Sequence, residues 1–185
     1  MKRFLFILCL ILGLAIAVVT TAQVQKPTGS QTQQVTGMWQ LASYETRNSK
    51  GELLTQSPYH YTDGIIRYEP TGRMSVQLVN NDDRPTFPTG NFTRVVQAAK
   101  TEDLQAAVLG YLAYFGTYSI DETKNTITHH VQESTNNYKG SDQVRNFELN
   151  GDQLVLVKSV SSKPGEKQDQ LTSRIEWRRL PDLRM

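Results

Sequence analysis

The sequence predicts an all-β domain, an eight-stranded antiparallel barrel with one embedded helix. Three observations predict it. From Gly116 to Leu180 the chain reads as five strands: Thr117–Ile120, Thr126–Ser134, Val144–Leu149, Gln153–Ser159 and Leu171–Leu180. The gaps between them, Asp121–Asn125, Asn136–Asp142, Asn150–Asp152 and Ser161–Gln170, are short, polar and rich in turn formers. Upstream, Val35–Tyr44, Gly64–Glu69 and Arg73–Val79 carry strand patterning of their own. Short antiparallel links make a meander, and a meander this long closes into a barrel or splits into a sandwich. A barrel closed by about eight strands has an interior that side chains fill or that holds one small ligand.

The elements follow in order. Met1-Lys2-Arg3, the apolar run Phe4–Val19 and Thr20-Thr21-Ala22 are the three parts of a secretory signal, so residues 1–22 read as a signal peptide cleaved after Ala22. The apolar run is short for a membrane span, and an uncleaved anchor is the alternative. The single cysteine, Cys9, follows Leu8 rather than a small residue, unlike a lipidated cysteine. The mature chain is then free of cysteine and of any disulfide requirement, which fits bacterial export to the periplasm or the medium, with no stable membrane insertion after cleavage. Cleavage removes Lys2 and Arg3 and takes the formal charge from +2 to zero. No basic block or Arg-rich helix is present, which excludes nucleic acid as the expected partner.

Gln23–Gln34 is rich in Gln, Thr, Ser, Gly and Pro and reads as a flexible leader before a single domain, 35–185. On the first strand Trp39, Leu41 and Ser43 share a face; a short strand is expected near Leu53-Leu54. Pro70-Thr71-Gly72 turns the chain into Arg73–Val79, where Met74, Val76 and Leu78 alternate with polar residues. Asn80–Gly90 reads as a loop, a lid or a solvated excursion. Over Thr101–Phe115, Leu104, Ala107, Val108, Tyr111, Leu112 and Phe115 recur at three and four, predicting a helix that Gly116 ends. A lone helix among strands plugs a barrel end or packs on its side.

The strand faces nominate a site. Ile127, His129 and Val131 share one face, and Arg145, Phe147 and Leu149 share one on the next strand. An internal histidine needs a partner or stays neutral. An inward arginine needs a carboxylate, an acceptor network or a bound anion. His129 and Arg145 are therefore expected to meet, with Tyr118 facing the same interior and Met74 and Val76 as apolar wall. The expected ligand is one small apolar or amphipathic molecule, acids included. A satisfied internal network in a filled barrel, acting through its outer surface, is the alternative. A cavity of roughly 300 Å³ or more separates the two. A third reading makes the barrel an isomerase, cyclase or hydratase, with His129 as acid–base and Tyr118 or Arg145 stabilising an enolate. No metal or cofactor is expected: His129 and His130 point to opposite strand faces, and no zinc, calcium, phosphate-loop or nucleophile-elbow motif occurs.

Several motifs in order resemble the bacterial and fungal lipocalin-like domain family. They are Gly37-Met38-Trp39-Gln40-Leu41, Tyr68, Gly72-Arg73-Met74-Ser75, Tyr114-Phe115-Gly116-Thr117-Tyr118, His129-His130, Arg145 and Trp177-Arg178-Arg179. The resemblance implies a lipocalin-type barrel that binds a small apolar or amphipathic molecule, with Tyr68 among its inner residues. It also implies that Trp39 closes one barrel end under an arginine of the last strand, Arg178 or Arg179. Trp177 and Arg179 share a face of that strand, so Arg179 is the expected partner.

Overall fold

The computed structural model describes residues 30–55, 60–82, 84–161 and 170–181. Eight antiparallel strands close in chain order into a barrel. They are β1 (Gly37–Arg47), β2 (Asp63–Tyr68), β3 (Arg73–Val79), β4 (Tyr111–Asp121), β5 (Thr126–Ser134), β6 (Asp142–Asn150), β7 (Gln153–Ser161) and β8 (Gln170–Arg179). β8 returns to β1, with Trp39 opposite Arg179. The expected signal peptide and most of the leader lie outside the described residues.

Alternation drives closure. On β3, Met74, Val76 and Leu78 are buried while Arg73 and Gln77 are exposed; on β6, Gln143, Arg145 and Phe147 are buried between exposed neighbours. Rings and aliphatics from all eight strands share one core along the barrel interior. The antiparallel order gives the barrel two unlike ends. The β2–β3, β4–β5 and β6–β7 turns lie at one, together with the N-terminal helix α1 (Gln31–Val35); the longer links lie at the other.

Three expectations change. The helix predicted over Thr101–Phe115 stops at Leu109, and β4 begins at Tyr111 rather than Thr117. Leu112 belongs to the helical set, but Leu112, Tyr114 and Tyr118 also fit a period of two, and pairing of Tyr111–Thr117 with all of β3 decides between the two periods. A second helix, α2 (Phe92–Ala98), precedes α3 (Thr101–Leu109); neither buries a residue, so neither plugs the barrel. Finally, Gln31–Gln34 of the leader is helical, capped by the Ser30 hydroxyl and ending on Val35, which is fully buried. Leu53, where a short strand was expected, makes a single bridge to Arg47.

Candidate binding site

The end carrying α1 is sealed. Trp39 is fully buried and its indole N–H donates to the Val35 carbonyl at 2.9 Å. The Arg179 guanidinium lies 4.0 Å from the Trp39 ring centroid. It donates to the carbonyls of Thr36, at 2.8 Å, and Gln34, and meets Asp152 at 3.3 Å. Arg179 thus ties α1 to the last strand across the aromatic face. Gly37 permits this: its φ is +134°, and a Cβ there would stand 2.7 Å from Arg179 Nη1.

Above this seal sits a polar stack. The Tyr118 ring meets the Tyr68 ring edge-on at 4.9 Å, and its hydroxyl donates to the Glu69 carbonyl at 3.0 Å. His129, 0 % exposed, contacts the Tyr68 hydroxyl through Nε2 at 2.7 Å. Its Nδ1 lies 2.9 Å from the Tyr114 hydroxyl and 3.1 Å from Arg145 Nη1. Arg145, 6 % exposed, also donates to the Gln143 carbonyl at 2.9 Å and to the Tyr114 hydroxyl at 3.1 Å. Arginine can only donate, so Nδ1 is the acceptor, and the His129 proton sits on Nε2, facing Tyr68. Burial, then the charges of Arg145 and Lys158, hold the His129 pKa well below its usual value, so the ring is neutral. Burial raises the phenols of Tyr68 and Tyr114, which stay protonated.

Next to this stack, on the side of the long links, lies a cavity of about 30 Å³. Its apolar wall includes Ile66, Val76, Leu78, Leu156 and Ile175; Tyr44, Tyr138, Lys158 and Ser173 add polar atoms, and Tyr114, Arg145 and Trp177 complete it. Lys158 donates to the Gln143 side-chain oxygen and, at 3.4 Å, to the Tyr138 hydroxyl, with its ammonium 4.6 Å from the Tyr138 ring centroid. Space of this size holds about two or three waters by the usual requirement of ~10–15 Å³ each. It is far below the several hundred cubic ångströms expected of a ligand chamber.

Of the six residues predicted to contact ligand, Val76 and Arg145 line this cavity. Tyr68, Tyr118, His129 and Met74 are buried in the packed core beyond it. Sequence reasoning passed over Tyr114 and Lys158. Tyr114 was assigned to the helix. Lys158 shares a strand face with the buried Leu154 and Leu156, and that period of two was the available signal.

A closed eight-stranded meander, sealed by an N-terminal tryptophan beneath a last-strand arginine, is a barrel of the lipocalin kind. The model of the lipocalin-like domain family matches residues 36–180, and the chain belongs to that family. No curated protein matches the chain.

Proposed function

We propose that the protein is an exported barrel that binds one small apolar or amphipathic molecule, entering from the side of the long links. The observation that supports this reading is the interior cavity: an aliphatic wall converging on Arg145, Tyr114 and Lys158. The small volume sets a condition. Room for about two or three waters accommodates the polar end of a molecule, and the remainder requires side chains such as Tyr44 and Tyr138 to swing aside. Rotamer changes of that kind are common on binding.

The same small volume favours a second reading, a filled barrel that acts through its outer face. An apolar groove of about 940 Å³ runs between residues 84–90, α2 and α3, and Phe92 and Leu109 are 80 % and 78 % exposed. Acid–base catalysis by His129 draws less support, because both ring nitrogens are engaged inside the protein.

Native mass spectrometry after gentle purification tests the binding reading. The expected result is one additional small mass per chain, released on denaturation. A bare chain, with no small amphiphile raising its unfolding temperature, contradicts binding and leaves the surface reading.

A further inference from the structure

We infer that the molecule held in the barrel is a carboxylic acid, and that Arg145 and Lys158 hold its carboxylate from adjacent strands. This rests on the binding reading and adds the chemical class of the ligand and a contact, Lys158.

The cavity offers hydrogen-bond donors in excess. Arg145 uses three of its N–H groups, on Gln143, His129 and Tyr114; two of the five that a guanidinium carries have no partner among the described residues. Lys158 uses two, on Gln143 and Tyr138. The Trp177 indole N–H is buried with no partner among the described residues, and Trp177 lines the same cavity. No aspartate or glutamate lines it, and no ion pair joins Arg145 or Lys158 to a carboxylate among the described residues. Two cations therefore line one cavity, with Trp177 beside them, and among the described residues no carboxylate compensates their charge. A carboxylate supplies what is missing: a negative charge, about four lone-pair sites and no donor of its own. An alcohol brings a donor with its acceptor and leaves both charges uncompensated.

Size and wall narrow the class. About 30 Å³ takes a carboxylate and not a chain. Ile66, Val76, Leu156 and Ile175 make the wall apolar, which suits a tail-bearing acid over an inorganic anion. The tail leaves past Tyr44 and Tyr138, the two partly buried tyrosines of the lining. Burial, and after it the Arg145 charge, push the Lys158 ammonium down to about 8. The ionisable groups around it are Arg145 from β6, Tyr138 from the β5–β6 link, Tyr114 from β4 and Tyr44 from β1, with His129 behind Arg145. Tyr114 and His129 stay uncharged near neutrality, so Lys158 is the group whose titration weakens acid binding as pH rises through about 8.

Calorimetric titration of the mature protein with octanoate, 1-octanol and inorganic phosphate tests this. Octanoate should bind once per chain, tighter than octanol by about tenfold or more, equivalent to about 1.4 kcal/mol. Lys158→Met should erase most of that preference. Lys158→Arg should keep it and remove its loss above the Lys158 titration. Arg145→Met should behave as Lys158→Met where circular dichroism shows a folded barrel; where it does not, the two Lys158 variants carry the test. Octanol binding as tightly as octanoate, or Lys158→Met leaving the preference intact, overturns the acid and spares the binding reading. Phosphate binding as tightly as octanoate overturns the tail. If neither octanoate nor octanol binds, the binding reading falls as well.

Discussion

Arg145 settles the chemistry of His129, because a guanidinium at 3.1 Å can only donate and so claims Nδ1 as acceptor. The imidazole is then a structural acceptor and donor between two tyrosines. Its depressed pKa carries a stability consequence with a definite sign. The unfolded chain takes up a proton as pH falls through the ordinary histidine value of 6.5, while the folded chain stays neutral until lower pH. Folding stability is therefore full above that value and is lost on acidification below it. Thermal unfolding followed from neutral pH downwards should show this loss, and His129→Gln should flatten it. Equal slopes for both proteins would remove His129 as its source. Lys158 also has a depressed pKa. The unfolded chain holds its proton up to about 10.5 and the folded chain releases it near 8, so the unliganded protein gains stability as pH rises between those values. Lys158→Met should abolish that gain, and an unaltered rise in the variant would contradict the assignment.

At the scale of elements, two contacts hold the barrel's shape. β4 carries a bulge between Phe115 and Gly116, where a Cβ on Gly116 would stand 2.0 Å from the His130 carbonyl oxygen. Gly116→Ala forces β4 and β5 apart and should cost about 1–3 kcal/mol or more, as overpacking does; denaturant unfolding at wild-type stability would refute that. At the sealed end, Arg179→Met removes donors to Thr36 and Gln34 and uncovers Trp39. A loss of about 1.5–3 kcal/mol is expected from the missing charged hydrogen bonds to these part-buried carbonyls. The expected companion is freer amide exchange in α1, and an unchanged exchange pattern would show that α1 docks without Arg179. The same scale shows where the sequence was legible. Met74, Val76 and Leu78 alternate without competing periodicity, and β3 keeps the predicted bounds. Tyr111–Phe115 fits two periods, and only its pairing with β3, far away in sequence, resolves them.

For the whole molecule, turn chemistry made the meander readable, and the barrel, rather than the sandwich, follows from β8 pairing with β1. His129 and Arg145 were legible as inward partners because polar residues interrupted apolar faces. The filling of the interior was not, since cavity volume depends on how rings from distant strands, such as Tyr44 and Tyr138, close over one another. Export remains a proposal at this scale, and mass spectrometry of the protein recovered outside the cytoplasm should find a terminus close to Gln23. Full-length protein confined to the cytosol would contradict it. The central claim is that the barrel interior binds an acid beside Arg145. A crystal structure of the mature protein grown with octanoate tests it most directly. The account predicts a carboxylate within hydrogen-bond distance of Arg145 and Lys158, with Tyr44 or Tyr138 rotated outward. Octanoate confined to the groove along α2 and α3, or an interior still filled by its own side chains at saturating octanoate, would contradict it.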